Sequence, residues 1–162
     1  MAVQGLVRCL VLVLPLGLGS PVLAQSVTVD SIGDGDTVRV RLSGGVRTVR
    51  LACIDAPETA QSPWGQQARQ QLQALAPIGT AVELHSTATD RYGRLVAELR
   101  RGDRNINQAL VRSGAAFVCW QYIAGCDRQT YSRVETEARP QDQLRRDAHS
   151  VDQRQYLAGV VS

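Results

Sequence analysis

The chain has no lysine, so all 18 of its basic residues are arginine; against 15 acidic residues they leave a net charge of only +3. So small an excess gives a weak overall pull toward nucleic acid, and composition permits a nucleic-acid enzyme without demonstrating one. Aromatic residues make up 4% of the chain. Aliphatic side chains must therefore fill most of any core. His85 and His149 stand alone, and the cysteines lack the paired spacing of zinc ligands, which argues against a zinc site. Internal repeats and low-complexity linkers are also missing, so the mature chain reads as one domain with a modest core. After the N-terminal segment, no apolar run is long enough to cross a bilayer.

That N-terminal segment, residues 1–24, has the pattern of a signal peptide. Arg8 supplies the positive start, Cys9 to Gly19 an apolar run interrupted by Pro15, and Val22-Leu23-Ala24 a small-residue cleavage site before Gln25. The run is well short of the ~20 residues needed to span a membrane. The expectation is export to the periplasm or the medium, with no stable membrane association after cleavage and a monomeric product. Cys9 leaves with the leader, and Cys53, Cys119 and Cys126 then meet an oxidising compartment. Cys119 and Cys126 flank a short WQYIAG loop and could bridge, for roughly 2–3 kcal/mol in the chain-entropy model. Cys53 lies in an apolar stretch and reads as a small buried hydrophobe.

Ser26–Ile32, Asp36–Leu42 and Val46–Ile54 alternate or run apolar, separated by glycine-bearing turns, which predicts an antiparallel meander. Pro63–Ala76 has helical spacing, with proline at its start and Pro77-Ile78-Gly79 at its end. Ala81–Ser86 and Leu95–Arg100 read as two more strands, Ile106–Ser113 as a short helix stopped by Gly114, and the segment from Asp127 to about Arg139 as a last helix. Five short strands with helices among them suggest an α+β, mainly β chain folded as a small, partly open five-stranded OB-fold barrel with about three helices.

Three polar clusters follow one another in this frame: DGDTV at 34–38, VRLACIDAPE at 49–58 and DRYGR at 90–94. They supply two acids able to hold a metal, one acid able to act as a base, and two arginines. That set suits phosphodiester cleavage, in which cationic groups offset anionic charge while a carboxylate activates water. With INQALVRSGAAFVCWQY at 106–122, these clusters make the chain resemble the staphylococcal nuclease-like (thermonuclease) family from roughly Val27 to Arg139. The domain is therefore taken as 25–139.

The resemblance implies calcium bound by Asp36, Asp55 and the backbone carbonyl of Ala56, a hard oxygen set. Many relatives have threonine at the last position, but a backbone ligand survives the change. It implies Glu58 as the general base, and Arg50 and Arg94 as the arginines that hold phosphoryl oxygens through guanidinium forks. Arg50 would share a strand face with Ala52 and Ile54, and Gly93 would let the backbone aim Arg94 inward. Asp34 and Thr37 adjoin the metal site and would orient its waters. Arg91, Tyr92, Trp120 and Tyr122 match positions that contact nucleotide phosphate and base. Arg91 and Trp120 replace a lysine and a tyrosine of the best-known member. The implied activity is hydrolysis of single-stranded or denatured DNA, or RNA, with little sequence preference, at the P–O5′ bond. The rival reading is an OB-fold module that grips single strands without cutting.

The resemblance stops at Pro140, where proline cannot continue the last helix. Residues 140–162 form a polar tail that is either a genuine divergence or the product of a shifted reading frame, and it is expected to lower stability rather than remove the site.

Overall fold

Valines at alternate positions begin the barrel. In the computed structural model, which describes residues 24–138, β1 (Gln25–Ile32) turns Val27 and Val29 inward. A bulge between Val29 and Ser31 then shifts the parity, so that Ile32 is inward as well. β2 (Thr37–Leu42) buries Val38 and Val40, and β3 (Gly45–Leu51) buries Val49 and Leu51. The leader, except for Ala24, and the tail from Pro140 lie outside the described residues.

After a two-residue strand, β4 (Ile54–Asp55), helix α1 (Trp64–Leu75) lays Gly65, Ala68 and Leu72 against the barrel. β5 (Ala81–Thr89) and β6 (Leu95–Arg101) follow as an antiparallel pair. The main sheet runs β3-β2-β1-β5-β6, and a parallel ladder between β3 and β6 closes it into a five-stranded barrel. The sequence-based expectation of a partly open barrel is thus met by a closed one of the same strand number.

Three short elements go beyond that expectation: β4, β7 (Arg104–Asn105) and β8 (Phe117–Val118). β7 folds back on the end of β6, and β8 pairs with β4. Helix α2 (Ile106–Arg112) is capped by Asn105, whose side chain accepts from the Gln108 N–H at 3.1 Å. Its Asn107 is fully buried and satisfied on both sides. The amide donates to the carbonyls of Ala52 at 3.0 Å and Ala97 at 3.2 Å, and accepts from the Leu99 N–H at 3.1 Å. That residue therefore pins α2 to β6 and to the chain just past β3.

The last helix, α3 (128–138), starts at Asp127. Hydrogen bonds from the hydroxyl and backbone N–H of Thr130 outweigh desolvation and hold the Asp127 carboxyl below its ordinary range, as an N-cap should be. Tyr131 and Val134 on this helix are fully buried. Burial first, then the charge of Glu98, pushes the Tyr131 phenol far above its usual range. It stays protonated and donates to Glu98 Oε1 at 2.6 Å. Among the described residues, no helix is long and apolar enough to cross a membrane.

Two local expectations need correction. The strand read over Val46–Ile54 ends at Leu51, because Cys53 adopts φ 65°, a left-handed conformation that breaks the pleat. Ala52 and Ile54 are accordingly buried and do not share the outer face of Arg50. The disulfide joins Cys53 to Cys126, not Cys119 to Cys126. The kink at Cys53 and the turn ending at Cys126 bring their Cα atoms to 6.5 Å, while Cys119 pairs through its backbone N–H with the Cys53 carbonyl and keeps a free thiol. Cys53 is buried as expected, but as half of a cross-link.

Candidate active site

The site begins at the turn between β1 and β2. Gly35 is required there: a Cβ on it would lie 2.6 Å from that of Ala68 and 2.7 Å from that of Ala56. The close approach seats the acidic turn between α1 and the segment after β4. Arg69 of α1 ties the same turn down, donating to the carbonyls of Gly33 at 2.8 Å and Ile32 at 3.2 Å.

Asp36 ends the turn and is 5% exposed. Its carboxylate accepts from the Ala56 N–H at 2.9 Å and the Thr37 hydroxyl at 3.2 Å, and its own N–H donates to Asp34 Oδ1 at 3.2 Å. Asp34, Asp36, Thr37 and Ala56 thus form one connected group. The β2–β3 register sets Thr37 opposite Arg50. From there the Arg50 guanidinium spans both acids, one nitrogen on Asp36 and the other on Asp55 Oδ1 at 2.5 Å. Asp55 is itself fixed by the short β4–β8 ladder, where it pairs with Phe117.

Two carboxylates converging on a single cationic group is the geometry a hard cation would use. The donors are all oxygen, which suits calcium better than a thiolate-seeking metal. The set is sparse: among the described residues, no group of three or more His, Cys, Asp or Glu side chains is placed to hold a metal ion. Asp36 and Asp55 fit a weakly held ion at most, with the other ligands left to adjoining backbone, water and substrate.

Glu58 lies in the turn before α1, with its backbone held at both ends. Its N–H donates to Gln61 Oε1 at 2.7 Å, and its carbonyl accepts from the Gln61 N–H at 2.8 Å. α1 packs so closely there that a Cβ on Gly65 would fall 1.8 Å from the Glu58 carbonyl oxygen. The side chain is exposed and forms no ion pair among the described residues.

Arg94 stands in the turn immediately before β6. The parallel ladder pairs Arg50 with Val96, two residues beyond Arg94, so Arg94 leads into the strand that lies beside that of Arg50. Arg94 turns to Asp90 rather than freely inward: its Nε donates to Asp90 Oδ2 at 2.7 Å. Asp90 also accepts the backbone N–H groups of Tyr92 and Arg94, each at 2.9 Å. Desolvation raises the Asp90 carboxyl, but the hydrogen bonds from the Arg94 side chain and from these backbone groups outweigh it and hold it below the ordinary value. Gly93 takes φ 76° to complete the turn, and Arg47 reaches across from β3 to its carbonyl at 3.3 Å. Tyr92 is 68% exposed, with the guanidiniums of Arg91 and Arg94 against its ring.

The second aromatic group forms a 3₁₀ turn, Trp120–Tyr122, directly after β8. Tyr122 is 66% exposed and open to stacking. Trp120 is engaged by α3: its indole N–H donates to Glu135 at 3.2 Å and Arg128 lies over its ring. Of the four expected substrate contacts, Arg91 pairs with Tyr92 through its hydroxyl at 2.7 Å, and Trp120 is the one most taken up by packing. Asp90, Arg47 and Arg69 join the site without having been marked by the sequence reasoning. Asp90 stands within DRYGR, where an Asp four residues before an Arg across a glycine turn is a legible local signal. Arg47 and Arg69 act only through partners distant in sequence.

Residues 48–143 match the family described as Staphylococcal nuclease homologue. The chain is 37% identical over 105 residues to the "Uncharacterized endonuclease" of Escherichia coli O157:H7, covering 63% of this chain and 67% of that one. It is 36% identical over 117 residues to the "Micrococcal nuclease" of Shigella flexneri, covering 67% and 66%. To the "SPbeta prophage-derived endonuclease YokF" of Bacillus subtilis it is 35% identical over 104 residues, which is 59% of this chain but spans only 35% of that longer protein.

Proposed function

The chain belongs to the staphylococcal nuclease homologue family, a family of hydrolytic nucleases, and from that premise we propose that it is an exported, calcium-dependent enzyme that cuts phosphodiester bonds of DNA or RNA with little sequence preference. The observation that carries this reading is the Arg50 fork spanning Asp36 and Asp55, with Glu58, which forms no ion pair among the described residues, three positions beyond Asp55. A module that only gripped single strands would have no need of a buried aspartate and a shared guanidinium.

Bound calcium, held by Asp36, Asp55 and the Ala56 carbonyl, would supply Lewis-acid stabilisation of a phosphoryl oxygen. The chain's own residues do the rest. Glu58 accepts a proton from the attacking water as the water oxygen bonds to phosphorus. Arg50 and Arg94 hold the phosphoryl oxygens where negative charge grows. The P–O5′ bond breaks, O5′ takes up a proton, and the phosphate stays on the 3′ side. Tyr92 and Tyr122 offer ring faces that stack on any base, for about 1–3 kcal/mol each, a grip indifferent to sequence.

Export rests on the pattern of residues 1–24 and is supported by the Cys53–Cys126 disulfide, since such bonds persist in oxidising compartments. A monomer free of the membrane after leader removal completes the proposal.

The test is digestion of denatured DNA by the purified chain with calcium and with chelator. Calcium-dependent shortening is expected. Glu58→Gln should fold normally and turn over on the order of 10²–10⁴ more slowly. Near-normal turnover in that variant would remove Glu58 as the base. Retardation of DNA on a gel without shortening, whatever the metal, would establish the binding module instead.

A further inference from the structure

The hairpin joining β6 to β7 turns at Gly102 through Arg101-Gly102-Asp103-Arg104, and its register sets Arg101 directly opposite Arg104. Like charges facing each other across an antiparallel ladder repel. Both residues are exposed, and Arg104 forms no ion pair among the described residues. Arg101 is partly committed, donating to the Leu75 carbonyl at 3.4 Å, at the end of α1 where a cation is favourable. With Leu75 and Asp103 the two arginines line an open groove of about 540 Å³. Paired guanidiniums around a groove form a seat for an anion with several oxygens.

This groove lies at the opposite end of α1 from Glu58. The helix begins against the Glu58 carbonyl at Gly65 and ends at Leu75. Its 12 residues span about 18 Å at 1.5 Å each. Gln66, Gln70 and Gln73 form an exposed stripe along it, and α1 carries no acidic residue. A phosphate backbone following that stripe meets amide donors and no repelling charge. At 3.4 Å per stacked nucleotide, the helix length corresponds to about five nucleotides.

We propose that Arg101 and Arg104 form a second phosphate-binding site, which holds a nucleic-acid strand about five nucleotides from the bond being cut and favours long substrates over short ones. The proposal rests on the nuclease reading of the Asp36–Arg50–Asp55 site. Asp103 at the groove rim opposes the anion and keeps the grip moderate.

The experiment uses the full chain and compares a 20-nucleotide single strand with a trinucleotide. Binding of the longer strand is followed by fluorescence anisotropy in chelator across a salt series, and cleavage of both is followed with calcium. In the variant carrying Arg101→Ala and Arg104→Ala together, affinity for the longer strand should fall roughly tenfold. The salt slope should become shallower by about 1.4, while trinucleotide cleavage is unchanged. Arg104→Ala alone leaves the Leu75 contact in place and should remove about half of that slope change. Asp103→Asn should tighten binding of the longer strand. An unchanged slope in both arginine variants, or equal losses on long and short substrates, would overturn the second site. If the wild type cleaves neither substrate while the slope still responds, the nuclease reading fails and the second site stands. If the wild type cleaves while the slope stays unresponsive, the second site fails and the nuclease reading stands.

Discussion

Asp36, Arg50 and Asp55 are placed by barrel strands and by side chains that reach across them, whereas Arg91, Tyr92 and Arg94 hang on a turn held mostly by its own Asp90. In the first region the partners are far apart in sequence: β2–β3 pairing sets Arg50, the β4–β8 ladder sets Asp55, and the Ala56 N–H fixes Asp36. In the second, apart from Arg47, the contacts lie within residues 90–94. Rigidity belongs where charges must be held together against repulsion. The exposed aromatic turn, in the proposed function, needs only to meet a base.

The cross-link between Cys53, beside the rigid region, and Cys126, beyond Trp120 and Tyr122, joins the chain between β3 and β4 to the segment between the second aromatic turn and α3. Breaking it should have the largest effect on stability. With 73 residues separating the cysteines, the chain-entropy model gives about 4 kcal/mol. A thermal melt with and without reductant measures it, and an unchanged midpoint would show that the aromatic turn is held by packing alone.

Arg50→Ala strikes the centre of the rigid region. It should slow turnover on the order of 10²–10³-fold and cost about 1–3 kcal/mol, because the Asp36 carboxylate loses its ion pair. Digestion rates and a denaturant titration separate the two effects. Arg94→Ala should match the loss in turnover with less loss of stability, since its partner Asp90 keeps 19% of its side chain in contact with solvent against 7% for Asp36. Equal destabilisation by both would erase the distinction between the regions.

Gly65→Ala should cost roughly 1–3 kcal/mol by overpacking, as the new methyl group meets the backbone of Glu58. Turnover should fall further than stability does, because the displaced backbone carries the proposed base.

The smallest effect belongs to Asp90→Asn. The Asp90 carboxyl titrates below its ordinary value of 3.8 in the folded chain, so its contribution to stability is present above that value. That contribution is lost as pH falls through the lowered one. The variant should therefore melt slightly below the wild type at neutral pH and converge with it in acid. A gap that widened in acid would show that Asp90 does not act through Arg94.

Much of the barrel was legible, because alternating valines mark β1 and β2, Val82 and Leu84 alternate in β5, and helical spacing marks α1. What escaped was decided at a distance. Nothing near Cys53 announces a left-handed residue in a run of apolar side chains. The two-residue ladders β4–β8 and β6–β7 are too short to leave a periodic signal. Cluster order marked the candidate acids and arginines, yet not their mutual pairing. Which carboxylate a guanidinium chooses depends on strand register, not on spacing along the chain. The disulfide was misassigned for the same reason: proximity in sequence favoured Cys119, and the fold favoured Cys53.

The spare thiol at Cys119 carries a consequence for how the molecule is made. In an oxidising medium the nascent chain can close a short ring between Cys119 and Cys126 for about 2 kcal/mol less entropy than the native ring requires. Early oxidation therefore favours the wrong isomer, and Cys126 reaches Cys53 only after the strands have drawn the kink and the turn together. Under the proposed export, maturation would run from shape to bond, and a thiol–disulfide isomerase should accelerate it.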